Sequence, residues 1–425
     1  ALQKNLLDFS QRNELLSKMT DEVERLVLLD NKAQTEALCY ASSQANNELE
    51  IYIRTIAQLE KQGLLNRAVE FLPSERTLEE RYKLGTSLTA PEIAVVMAYI
   101  KIEIKQALLN SNVPDEAYFQ KFLKKEFPSE LEKNYQSLIS EHQLRRAIIS
   151  TQLTNQLIQR AGILFIQRLR EETNEKVSQI IRAYKTAIAV FELEKLYDAL
   201  NQLDFQVNQT MQNFMRRLLI RFLRRTTRWL INHRLPTSME ETINDLKMIA
   251  PMSKKLTEFL GSVGLEKYHH LIETCIAANV PLDIATALAR TYYSYLLLEI
   301  NYLAQKTNHD LDKVAKLYFN LGKKLKLDRL RDEITNQAVS NQWESLAHSS
   351  LRDQLDNLQS YLVEKVLSDN TTDDLETYFN QALVQYEAWH NLMQQLERAP
   401  KADYVMYAVL LNNLNQLAQR LGSGS

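Results

Sequence analysis

The chain has 425 residues, a formal net charge of −2 and a hydrophobic fraction of 45%. That balance excludes a mainly disordered polypeptide and gives no basic excess for general nucleic-acid binding. The longest apolar run, Ile93 to Ile100, ends at Lys101 and falls far short of the roughly 20 residues that a membrane span requires.

Helical periodicity dominates from the start. Thr20 is expected to cap a helix whose apolar face carries Val23, Leu26, Val27, Ala37 and Leu38. Thr89-Ala-Pro-Glu92 reads as a capping box opening a helix through Ile93, Val96, Met97, Ile100 and Ile104. Ser140-Glu-His-Gln143 is expected to open a helix about 30 residues long, ending near Leu169. A third capping box stands at Ser238-Met-Glu-Glu241, and later helices are expected from Asp310, Thr372 and Asp403. Pro73, Pro114, Pro128, Pro236, Pro251, Pro281 and Pro400 fall between periodic segments. No alternating pattern of useful length and no fixed repeat appears. The expected fold is all-α, an irregular array of about fourteen helices without a sheet.

At this length, two or three helical subdomains are expected. The break is placed at 235/236, where an arginine-rich helix ends, giving subdomains 1–235 and 236–421; Asn110 to Pro128 is a second possible hinge. The chain begins in mid-pattern at Ala1, as a processed piece or part of a longer polypeptide would, and 422–425 reads as a tag or linker remnant.

Chemistry-bearing patterns are few. Of only 8 glycines, Gly261 and Gly264 alone approach the spacing of a phosphate-binding turn, and they lie between helical patterns. No dinucleotide site is expected in the chain's own loops. Cys39 and Cys275 are expected to be buried thiols in a reducing cytoplasm. The 7 histidines form no chelating spacing; the adjacent His269 and His270 would point about 100° apart on a helix. No catalytic, cofactor-binding or metal residue is therefore assigned. Trp229, Trp343 and Trp389 are expected in the core, and the 19 tyrosines suggest interiors where hydroxyls meet polar groups.

The carboxylate pair Asp373-Asp374 begins a helix and suits its positive end, whereas Glu171-Glu172 ends one, where a nearby arginine or a partner is expected to offset it. Arg217, Arg221, Arg224, Arg225 and Arg228 recur at three- and four-residue spacings and share one helical face. The plain reading is a solvated face or ion pairs with acidic helices such as those carrying Asp245 or Glu192 to Glu194. The alternative is a free-standing scaffold gripping an acidic protein partner.

Six stretches, in order, resemble the large bacterial NAD-specific glutamate dehydrogenases in the helical region after their catalytic module. They begin with Gln11-Arg-Asn-Glu-Leu-Leu-Ser-Lys-Met-Thr-Asp-Glu-Val23, continued by Leu26-Val-Leu-Leu-Asp-Asn31, and Leu88-Thr-Ala-Pro-Glu-Ile-Ala-Val95. Next come Leu144-Arg-Arg-Ala-Ile-Ile149 with Arg168-Leu-Arg-Glu-Glu-Thr173, and Arg225-Thr-Thr-Arg-Trp-Leu230. Val314-Ala-Lys-Leu-Tyr-Phe-Asn-Leu-Gly322 with Leu327-Asp-Arg-Leu330, and Trp343-Glu-Ser-Leu-Ala347 with Leu351-Arg-Asp353, complete the series. The chain departs from the family at Ala90, usually Arg, and Asn174, usually Gly; asparagine preserves the left-handed geometry after a helix.

The resemblance implies a parent enzyme that oxidises glutamate to 2-oxoglutarate and ammonia with NAD. It places the catalytic residues and the cofactor loop outside this chain. It also implies the catalytic domain of the same chain as partner, a homo-oligomeric parent, a cytoplasmic setting, and neither nucleic acid nor membrane as partner.

Overall fold

The computed structural model describes residues 7–124, 127–203, 206–234, 238–337, 339, 341–369, 375–399 and 401–422. Among the described residues the chain is all-α, with 23 α-helices and no strand. The excess over fourteen comes from short helices and from breaks within long periodic stretches. The chain divides into two units: residues 1–187 with 219–241, and residues 188–218 with 242–425.

In the first unit, the helix Ala90–Leu109 starts as its capping box requires: Pro91 sits in the first turn and the Thr89 N–H donates to Glu92 Oε2 at 2.7 Å. Its residues Ile93, Val96, Ile100, Ile104 and Leu108 are buried and pack on the helix Arg145–Ala161, which presents Ile149, Leu153 and Leu157. Each such side chain contributes about 1.5–3 kcal/mol. The long helix Phe9–Gln44 lies against both through its carboxy-terminal half, where Tyr40 and Ala41 are buried.

That long helix starts earlier than the sequence suggests. Asp8 caps it, its side chain accepting from Gln11 N at 2.7 Å, while the Asp8 N–H donates to Gln11 Oε1 at 3.0 Å. Thr20 is therefore mid-helix, its hydroxyl turned back to Leu16 O. Val23 and Val27, expected on a core face, are exposed. Ser140 likewise ends a short helix, Gln136–Ser140, instead of opening a long one. The long pattern is cut at Gly162, whose φ of 87° and ψ of 165° admit only glycine, and the chain resumes as Phe165–Thr173. That helix closes on Asn174 at φ 57°, the left-handed conformation expected of its substitution for glycine.

The second unit is a set of packed helix neighbours. Ser262–Ile276 packs on Leu282–Ser294, Leu296–Thr307 on Leu311–Lys324, and Tyr404–Gly422 on both Gln342–Ser368 and Leu383–Arg398. Trp389 is fully buried and its indole N–H donates to Leu325 O at 3.1 Å. The capping box at Ser238 holds in both directions, at 3.3 and 3.2 Å. Asp310 and Asp403 cap their helices through Lys313 N and Met406 N. Pro236, Thr372, Asp373-Asp374, Pro400 and the segment 423–425 lie outside the described residues.

Other side chains depart from expectation. Trp343 is 81% exposed, because it stands in the first turn of Gln342–Ser368, before that helix reaches its packing partners. Cys39 is exposed, one position off the buried Tyr40, whereas Cys275 is buried and its thiol pKa is pushed up by desolvation. Tyr99 and Tyr292 hydroxyls reach Glu70 and Asp332 at 2.6 and 2.8 Å. Those of Tyr52, Tyr293 and Tyr318 make no hydrogen bond among the described residues, and burial raises their pKa. Burial of the ring area outweighs satisfaction of the hydroxyl there.

Gly162→Ala should cost about 1–3 kcal/mol in denaturant unfolding, since the backbone there lies in a glycine-only region. Asn174→Gly should stay within about 1 kcal/mol of the wild type, because both residues accept the left-handed conformation.

Candidate functional site

The arginine stripe stands on the helix Gln209–Arg234. Its residues to Leu218 group with the second unit and those from Leu219 with the first. Arg217 is exposed, with its guanidinium 5.7 Å from the Phe214 ring. Arg221, Arg224, Arg225 and Arg228 are half-buried, so this face is not simply solvated. Arg224 and Arg228 flank the Glu172 carboxylate at 3.9 and 3.7 Å. Thr226 and Thr227 between them are fully buried, and Thr226 Oγ1 donates to Phe222 O.

The neighbouring Glu171 is gripped from elsewhere. Arg54 donates through Nε and Nη2 to its two oxygens at 2.9 and 3.0 Å, and Gln167 adds a bond at 2.9 Å. Burial works against this carboxylate, but the Arg54 and Gln167 hydrogen bonds outweigh it and hold the Glu171 pKa below its usual value. Two carboxylates at the negative end of Phe165–Thr173 are thus compensated by three arginines from two other helices. Of the two ways expected to offset Glu171-Glu172, an arginine or a partner, the structure supplies arginines.

A second buried polar cluster, within the second unit, was not singled out in the sequence. Arg331 is 4% exposed and donates to Asp328 Oδ1, Asp356 Oδ1 and Gln359 Oε1 at 3.1, 3.0 and 2.6 Å. Gln359 in turn donates to Tyr318 O at 2.9 Å. Gly322 lets this amide approach: a Cβ there would sit 3.0 Å from Gln359 Nε2. Burial raises the Asp328 pKa, with Arg331 opposing and Asp332 adding to the rise. Only the Asp328–Arg331 spacing was visible in sequence; Asp356 and Gln359 come from another helix. The guanidinium is occupied on three sides, which suits a structural tie better than substrate binding.

The glycine pair stands in closely packed surroundings. Gly261 precedes the helix Ser262–Ile276, but a Cβ on it would meet the Lys323 side chain at 3.3 Å, and Gly264 is buried against Leu260. Among the described residues, no group of three or more His, Cys, Asp or Glu is placed to hold a metal ion. His269 and His270 are both exposed on one helix. No described helix is long and apolar enough to cross a membrane.

Residues 85–416 match the family described as glutamate dehydrogenase, C-terminal. The chain belongs to this family. It is similar to the NAD-specific glutamate dehydrogenases of Pseudomonas aeruginosa, 36% identical over 416 residues, and Halomonas elongata, 32% over 418. Both alignments take in 96% of this chain and 26% of the relative. The Mycobacterium tuberculosis enzyme of the same name is 30% identical over 349 residues, 81% of this chain and 21% of the relative. The chain therefore spans about a quarter of the length of these relatives. The family's helical region is here held by arginine–carboxylate ties in each unit.

Glu172→Gln should lower stability by roughly 2–3 kcal/mol, somewhat less than the loss of one partner of a fully dry ion pair. Arg331→Met should destabilise at pH 7 by about 3–5 kcal/mol, because Asp328 and Asp356 lose their cation. With Arg331 gone, the Asp328 pKa rises further above its unfolded value, so folding takes up a proton. The deficit relative to wild type should therefore shrink as pH falls through that raised pKa, read by urea unfolding between pH 7 and 5.

Proposed function

We propose that this chain is the non-catalytic carboxy-terminal helical region of an NAD-dependent glutamate dehydrogenase. The complete polypeptide would convert L-glutamate to 2-oxoglutarate and ammonia, with NAD as the hydride acceptor. The observation that carries this reading is the match over residues 85–416 to the family's carboxy-terminal region, by a chain about a quarter as long as its relatives. The packed surroundings of Gly261 and Gly264 support placing the cofactor elsewhere in that polypeptide.

The role we assign is mechanical. The region packs on the catalytic domain of the same chain, biases its opening and closure, and supports a homo-oligomer in the cytoplasm. A buttress must resist bending, and interlocked helices with buried ion pairs supply that stiffness. The half-buried stripe of Arg221, Arg224, Arg225 and Arg228 serves in this reading as an internal ion-pair network, with Glu172 as one acidic partner.

A glutamate-plus-NAD assay tests the assignment. The complete polypeptide should turn over and this chain alone should not; turnover by this chain at an ordinary enzymatic rate, about 1 per second or more, overturns the reading. In the complete polypeptide, Arg221→Glu combined with Arg225→Glu should reduce thermal stability and assembly. Unchanged stability, assembly and kinetics would remove the stripe from the account.

A further inference from the structure

Three successive turns in the first unit close with one hydrogen-bond pattern. After the helix Leu49–Lys61, Leu64 N donates to Leu59 O and Gly63 N to Glu60 O, at 3.0 and 2.9 Å. After Glu75–Lys83, Thr86 N donates to Arg81 O and Gly85 N to Tyr82 O, both at 2.9 Å. Between them, Leu72 N donates to Arg67 O and Phe71 N to Ala68 O, at 3.0 and 3.4 Å. The pattern requires a left-handed residue at its closing position. Gly63 and Gly85 supply it at φ 70° and 75°, and Asn279 and Asn308 supply it in similarly closed turns of the second unit. Phe71 supplies it at φ 53°, a conformation that strains a bulky side chain.

Nothing in the fold repays that strain, because the Phe71 side chain is 91% exposed. The turn beneath it is firmly built. Asn66 Oδ1 accepts from Ala68 N and Val69 N at 3.1 and 3.2 Å. Arg67 ties Glu60 to Pro73 O, Tyr99 donates to Glu70 at 2.6 Å, and Leu65 and Leu72 are buried on either side. The result is an aromatic ring held outward on a rigid base, beside the 66% exposed Val69. A preorganised aromatic of this kind is the form that interface anchors take.

We propose that Phe71, with Val69, is the anchor through which this region docks on the polypeptide preceding it in the full-length enzyme. This rests on the function proposed above. The occupant is chosen from length and position. The relatives are about four times as long as this chain, and the carboxy-terminal family match begins only at residue 85. Phe71 lies before that start, in the stretch nearest to whatever precedes the matched region. Of the 24 large hydrophobic side chains exposed among the described residues, ten fall within residues 7–84, under a fifth of the chain. Apolar surface is concentrated where a preceding module would cover it.

The test places the photoreactive residue p-benzoylphenylalanine at position 71 of the complete polypeptide, irradiates it and identifies crosslinked peptides by mass spectrometry. A crosslink to a peptide from the preceding polypeptide is expected. A crosslink to a second copy of this 425-residue region, or none despite verified incorporation, overturns the proposal. Glutamate turnover is measured on the same preparation: turnover without the crosslink refutes the anchor alone, and the crosslink without turnover refutes the assigned activity alone. As a second measurement, Phe71→Asn keeps a residue that accepts the left-handed conformation, so the turn persists while the ring is lost. Tryptic cleavage after Arg67 in the complete polypeptide should become several-fold faster; an unchanged rate overturns the proposal.

Discussion

Every helix must be stopped, and stopping one leaves carbonyl groups that need partners. A chain with 8 glycines and 23 described helices meets this constraint with unusual economy. Gly63, Gly85 and Gly162 take left-handed backbone where they stand, and Asn174, Asn279 and Asn308, with Phe71, Glu192 and Lys326, serve where glycine is absent. The ends so fixed set the directions of the following helices, and hence which stripes meet. Gly162 shows the consequence: its backbone alone turns one continuous periodic pattern into two helices, and the second brings Glu171 and Glu172 to the arginines.

Charge is then admitted to the interior only where it is matched. In the first unit, Glu171 and Glu172 stand at the unfavourable end of their helix and are held by Arg54, Arg224 and Arg228. In the second, Arg331 is almost wholly removed from solvent and meets two carboxylates and an amide oxygen. Such ties add modest net stability relative to an apolar core, but losing one partner is expensive. They therefore fix the geometry of the units more than they strengthen them. That suits a region whose proposed task is to hold a shape against another domain.

The surface follows a different logic from the interior. Apolar side chains left outside are concentrated before residue 85, and one of them, Phe71, occupies a strained backbone position where its four counterparts are glycine or asparagine. Local strain of this kind is retained where function outweighs stability. The arginine stripe, by contrast, whose spacing allowed either a solvated face or ion pairs, is half-buried over most of its length.

What the sequence determined by itself is the local physics. Helical periodicity excluded a sheet, and side-chain oxygens at fixed spacing announced the helix starts at Thr89, Ser238, Asp310 and Asp403. The need to offset Glu171-Glu172 was also legible from the helix end alone, and the left-handed Asn174 from the resemblance to a family that usually has glycine there. Tertiary structure decided everything that depends on what lies opposite. Trp343 is outside and Trp389 inside, although each sits in an amphipathic helix, because only the second meets partner helices. The assignment of 188–218 to the second unit, and the meeting of Arg331 with Asp356 and Gln359, arise from residues distant along the chain. Periodicity defines which face a residue occupies, but whether that face is covered depends on how the loops fold the helices back upon one another.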